Sequence, residues 1–227
     1  MKLLLIFLIT SIFGNFCFAQ NLNSEKEINP LYTLPKIIAD KKESSKSDYG
    51  KGIVATEKGI YKVLSNNSYY PLWTEGKAKQ ILKVEKKNEE CFYFVTSKGI
   101  LYTEDFKKFE TRNSGLPILT IKKYNGKETT FEKQVADIKD ISFNPEKPFQ
   151  MVCATKDKIF ISEDAGNTWS YYNAPRVGTS GMKAVAIVTE KLVNSEGVNY
   201  SEDYIFCSHA TLGFFYSRVS EKKLISV

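Results

Sequence analysis

Four segments of the chain repeat one pattern: an apolar run, a Thr or Ser, a short polar turn, and a second apolar run. They are residues 53–61 (IVATEKGIY), 93–101 (YFVTSKGIL), 152–160 (VCATKDKIF) and 205–215 (IFCSHATLGFF). β-Branched and aromatic residues flank a turn in which Gly59, Gly99 and Gly213 can take positive φ, so each segment predicts a β-hairpin. A further strand is expected before most hairpins, at 81–85, 135–143 and 182–189, and another after each. Every repeat then holds four antiparallel strands, and self-similarity of this kind constrains the fold more than any local propensity.

Residues 162–169 (SEDAGNTW) carry the second turn of the third repeat. Asp164 can accept backbone N–H bonds in the turn, Gly166 supplies a left-handed residue, and Trp169 offers a large apolar surface at the start of the next strand. Ser162 and Thr168 can pair with neighbouring polar groups. A degenerate copy occupies residues 102–109: Thr103 and Asp105 match, the glycine is lost, and Phe109 takes the tryptophan's place after a one-residue deletion.

The pattern S-x-D-x-G-x-T-W resembles the Asp-box, or BNR repeat, and the third repeat resembles a blade of the Asp-box β-propeller superfamily. The resemblance spans roughly residues 49–218 and implies an all-β propeller of four-stranded antiparallel blades. About four units are recognisable, at approximately 49–76, 77–117, 133–175 and 180–227. Seven blades of about 42 residues would need roughly 300 residues, so an incomplete, open arc is expected. Its edges could pair with another chain. Between the second and third units, residues 118–132 contain Asn125–Gly126 and predict an inserted hairpin. The polar insertion at 191–202 reads as a loop.

The superfamily includes sialidases, but the resemblance does not carry their chemistry here. No Arg-Ile-Pro motif occurs, and the three arginines, Arg112, Arg176 and Arg218, match no family motif. Asp137, Asp140, Glu163 and Asp164 have ordinary strand and turn explanations. The box implies structural work at a blade's periphery, so no catalytic residue is assigned. No C-x-x-C occurs and the chain has one His, His209, so no metal site and no cofactor are expected. His209 reads as a turn residue.

Lys2 followed by the apolar run 3–13 and the small residues Cys17 and Ala19 predicts a secretory signal peptide at 1–19. A lipidated Cys17 is a further reading. Residues 20–48 form an extension, with 41–48 rich in Lys and Ser, and the mature chain shows no later run long enough to span a membrane. The protein is thus expected to be exported: periplasmic, extracellular or at the cell surface.

The formal net charge of +6 comes from scattered lysine pairs rather than one face, which argues against a nucleic-acid partner. Cys91, Cys153 and Cys207 read as buried small hydrophobes. The expected function is a binding module for a protein or glycan partner, acting through blade loops. The alternative is a glycosidase-like propeller, or the accessory part of a cell-wall hydrolase such as an amidase, possibly a fragment of a larger enzyme.

Overall fold

Apolar runs separated by Gly- and Asp-containing turns form seventeen strands, and no helix, among the described residues. The computed structural model describes residues 52–86, 89–124, 126, 128–175 and 180–227. The expected leader at 1–19, the extension at 20–48, Asn125, Arg176 and Gly178 lie outside them.

The fold is all-β and antiparallel. Sheet I comprises β1 (Gly52–Thr56), β2 (Gly59–Val63) and β3 (Tyr69–Trp73). Sheet II comprises β4 (Ala78–Lys86), β5 (Glu89–Thr96), β6 (Gly99–Thr103) and β7 (Glu110–Thr111). A separate hairpin pairs β8 (Ile118–Tyr124) with β9 (Thr129–Val135). Sheet III comprises β10 (Asp140–Asn144), β11 (Lys147–Ala154), β12 (Ile159–Ser162) and β13 (Ser170–Asn173). Sheet IV comprises β14 (Met182–Val193), β15 (Asn199–His209), β16 (Gly213–Arg218) and β17 (Ile225–Ser226). Each sheet is a meander in chain order, with three strands described in sheet I and four in each of the others.

The repeated Thr closes the turn of each of the first three hairpins. Thr96 Oγ1 donates to Gly99 O at 2.9 Å and accepts the Lys98 N–H at 3.1 Å; Thr56 makes the same two bonds, and Thr155 Oγ1 donates to Lys158 O (3.3 Å) and accepts the Lys158 N–H (3.2 Å). In sheet IV the imidazole of His209 does this work instead: its Nδ1 accepts the N–H groups of Thr211 (3.3 Å) and Leu212 (3.2 Å). At Gly99 (φ 97°) a Cβ would stand 2.2 Å from Asn113 Oδ1, the atom that accepts the Ile100 N–H at 2.8 Å. A side chain there would displace the residue that ties this turn to the end of sheet II.

Neighbouring sheets share cores through the two faces of their middle strands. In β5, Phe92 and Phe94 face sheet I, where they meet Ile60, Trp73 and Ala55. Tyr93 and Val95 face sheet III, with Ile141, Met151, Cys153 and Phe160. In β11, Met151 and Cys153 face sheet II, while Val152 and Ala154 face sheet IV, against Val185, Ile187, Ile205 and Cys207. A strand covered on both faces needs apolar residues at every position, which is why FYFV and MVCA are unbroken apolar runs rather than alternating ones. The first strands lie beside one another across the sheets: β10 runs against β14, and β4 packs with β1 and β10.

Two expectations are corrected. The polar stretch 191–202 is not a loop but a strand extension: β14 runs to Val193, β15 starts at Asn199, and Lys191, Leu192 and Val193 pair with Ser201, Tyr200 and Asn199. Asn194 Oδ1 closes its tip by accepting the N–H groups of Glu196 and Val198. Nor is 135–143 one strand. Val135 pairs back to Ile118 in the inserted hairpin, and the first strand of sheet III begins only at Asp140.

Candidate functional site

The carboxylate of Asp164 organises the turn between β12 and β13. Its Oδ1 accepts the Ser162 hydroxyl and the Thr168 N–H, both at 2.8 Å, and its Oδ2 accepts the Thr168 hydroxyl at 2.6 Å. Ser162 Oγ accepts the Gly166 N–H at 2.8 Å, and Ala165 (φ 56°) and Gly166 (φ 77°) are both left-handed. Partial burial alone would raise the Asp164 pKa; the bonds from Thr168 and Ser162 outweigh it and hold the carboxyl below the usual aspartate value.

This turn faces the preceding sheet. Trp169 is buried, its N–H donates to Ser114 O at 2.8 Å and its indole Nε1 to Arg112 O at 2.9 Å, while the Tyr93 hydroxyl donates to Ala165 O at 2.9 Å. A Cβ on Gly115 (φ 85°) would lie 1.9 Å from Trp169 O. The Asp164 turn therefore helps hold sheets II and III together.

The shorter turn of sheet II has the same logic. Thr103 Oγ1 accepts the Phe106 N–H at 2.9 Å, Phe106 is left-handed (φ 58°), and Asp105 accepts the N–H groups of Lys107 (2.8 Å) and Lys108 (3.2 Å). Those two bonds pull the Asp105 pKa down. Phe109 packs against the seam with sheet I, its ring 6.1 Å from that of Phe94.

Asp137, Asp140 and Glu163 are also engaged, Glu163 accepting Gln150 Nε2 at 3.3 Å. Asp140 is buried where three sheets meet: it accepts the Gln80 side-chain amide of β4 (2.7 Å), the Val185 N–H of β14 (2.8 Å) and its neighbour's Ile141 N–H (2.9 Å). Burial pushes its pKa up to about 6, against the pull of these three donors. Asp137 forms ion pairs with Lys79 and Lys139.

Between sheets III and IV an open groove of ≈ 550 Å³ is lined by Lys147, Phe149, Gln150, Glu163 and Asp203 among others. Here Asp203 accepts Lys147 Nζ (2.6 Å), Gln150 Nε2 (3.0 Å) and the Thr189 hydroxyl (2.7 Å). Burial would raise its pKa, but these bonds, led by that of Lys147, lower it. The buried Asn144 amide links Gln150 to Thr189. Sequence reading missed both the Asp140 junction and this network, because each joins residues about 45–60 positions apart.

Among the described residues the two arginines, Arg112 and Arg218, have separate partners. Arg112 stacks on the Tyr102 ring at 4.3 Å and pairs with Glu110, whereas Arg218 pairs with Glu202 and Glu221. Among the described residues no group of three or more His, Cys, Asp or Glu is placed to hold a metal ion, and no helix is long and apolar enough to cross a membrane. Among the described residues Cys153 and Cys207 are buried free thiols, and the half-buried Cys91 thiol donates to Val84 O at 3.6 Å.

Outside the seams, large apolar side chains gather on the β8–β9 hairpin: Tyr124 is 72% exposed, Phe131 69%, Ile118 65% and Leu119 50%. The hairpin's stem is held by the Ala136 N–H donating to Pro117 O (2.8 Å) and by Gln134 Nε2 donating to Ser97 O (2.9 Å).

No family model and no curated protein sequence matches the chain. Among solved structures, a chain described as PorZ, an essential bacterial surface component of the type-IX secretion system of Porphyromonas gingivalis, aligns at 11% identity with a TM-score of 0.29. The alignment covers 78% of this chain and 35% of that one, so the chain spans about a third of that structure's length.

Proposed function

We propose that the chain is an exported, non-enzymatic β-propeller arc that binds a protein or glycan partner through elements standing outside its sheet seams. Three features support the propeller reading: meanders repeated in chain order, cores shared by successive sheets, and first strands lying side by side. The turn built by Ser162, Asp164, Gly166, Thr168 and Trp169 then marks the register of one blade, and Thr103, Asp105 and Phe109 mark another. The apolar leader at 1–19 is the basis for export.

One contrast carries the binding reading. Asp140, Asp164 and Asp203 each accept at least three hydrogen bonds from the protein itself, while exposed aromatic side chains cluster on a projecting hairpin. A glycosidase needs a carboxylate pair facing its substrate, and a carboxylate saturated by internal donors is poorly disposed to serve as acid, base or nucleophile.

The test has two arms. The full-length protein incubated with sialosides and with peptidoglycan fragments should turn over neither, and a photoreactive residue at position 131 should yield a discrete cross-linked adduct in producing cells that the same residue at position 57 does not. Turnover that disappears in Asp203→Asn or Asp140→Asn would replace this reading with the hydrolase one.

A further inference from the structure

The register of the β8–β9 hairpin sorts its side chains into two unlike faces. Paired residues of antiparallel strands share a face, and the pairs Thr120–Lys133, Lys122–Phe131 and Tyr124–Thr129 alternate with Ile121–Glu132 and Lys123–Thr130. On the second face Lys123 forms an ion pair with Glu132, so the charge there is balanced. The first face holds Lys122 directly across from Phe131, Lys133 two residues further along the same strand, and Tyr124 diagonal to the ring. All four side chains are exposed, and no acidic group among the described residues forms an ion pair with either lysine. The face therefore offers two aromatic rings and two ammonium groups that form no ion pair, in the order Lys133, then Lys122 across from Phe131, then Tyr124.

Its size limits what it can hold. Seven-residue strands at about 3.4 Å per residue are about 24 Å long, and a two-stranded ribbon is only about 10 Å wide including its side chains. That strip is well under the roughly 800 Å² per partner of a standard protein–protein interface. It suits one narrow linear chain. An aromatic ring packs against the C–H face of a sugar ring, burying apolar surface that a polar peptide does not present. Lys122 across from Phe131 and Lys133 next along its strand place point charges where carboxylates carried on that chain would sit.

Resting on the binding-module reading and naming its ligand, we propose that the Thr120, Lys122, Tyr124, Thr129, Phe131 and Lys133 face of the β8–β9 hairpin binds a linear anionic polysaccharide: sugar rings stack on Phe131 and Tyr124, and their carboxylates pair with Lys122 and Lys133. The full-length protein is titrated with polygalacturonate, dextran and polyglutamate, with circular dichroism confirming that each variant is folded. Polygalacturonate binds. Phe131→Ala and the double variant Lys122→Ala/Lys133→Ala each weaken it at least about tenfold, the double variant also flattens the salt dependence, and Lys123→Ala on the opposite face changes it less than about twofold. Dextran and polyglutamate do not bind measurably.

The proposal is overturned if polygalacturonate does not bind, if polyglutamate or dextran binds as well, or if Lys123→Ala costs as much as the Lys122→Ala/Lys133→Ala double variant. A cross-link at position 131 without polygalacturonate binding discards this ligand while leaving the binding-module reading in place.

Discussion

At the scale of single residues, two aspartates respond to pH in opposite directions. Asp140 has a folded pKa of about 6 against a reference of 3.8. A raised carboxyl pKa means that the folded state binds a proton more tightly than the unfolded chain, so stability from this group is present at low pH and is lost as pH rises from about 4 through 6. Relative to Asp140→Asn, the wild-type protein should lose about 2–3 kcal/mol of unfolding free energy between pH 4 and pH 7, measured by urea titration at each pH. A flat difference would mean that Asp140 is not buried at the junction of β4, β10 and β14. Asp164 has the opposite sign: its pKa is lowered, so its contribution is present above about pH 4 and fades as pH falls through the folded value. Replacing it by Ala should cost about 1–2 kcal/mol at pH 7, the net worth of a few hydrogen bonds to a largely solvated charge, and progressively less below pH 4. The Asp164 turn was legible in sequence because every residue that it uses lies within eight positions. The Asp140 junction was not, because its partners Gln80 and Val185 come from strands far away along the chain.

Turn chemistry also explains which elements could be read in advance. Thr56, Thr96 and Thr155 sit where a hydroxyl must close a tight turn, and the repeated spacing exposes that requirement. In the fourth repeat His209, a turn residue as its sequence context predicts, meets it with an imidazole acceptor in place of the hydroxyl. The extension at 191–202 resembles a loop in sequence because it is exposed nearly throughout, and polar strands without a buried face lack the alternation that signals a strand. The inserted hairpin showed itself through Asn125–Gly126, but its two faces became apparent only with the register. Burial separates the two elements energetically. Trp169→Ala empties part of the seam between sheets II and III and should cost about 3–5 kcal/mol. Phe131→Ala, at a 69% exposed position, should change stability by less than about 0.5 kcal/mol. Equal losses in chemical denaturation would show that the hairpin is part of the core.

On the scale of the whole molecule, successive sheets bury one another's faces, while the β8–β9 hairpin, the proposed recognition element, keeps its large apolar side chains exposed. The shared cores were not legible in sequence: FYFV and MVCA show that both faces are covered, but not by which neighbours. The thiols report on those cores. Burial raises the Cys153 pKa far above its ordinary value and pushes Cys207 up to about 12, so neither supplies thiolate at neutral pH. A thiol reagent should label Cys153 and Cys207 only as fast as the seams open, whereas half-buried Cys91 should react sooner; rapid labelling of all three would refute the sealed seams. The proposed division between scaffold and recognition element has its most direct test in one trimmed variant, in which residues 120–133 are replaced by an Asn-Gly turn. Binding to envelope isolated from producing cells is measured beside thermal unfolding. The account predicts a cooperative transition within about 3 °C of the wild-type midpoint and loss of envelope binding. Wild-type binding by the trimmed chain, or its failure to fold, would contradict it.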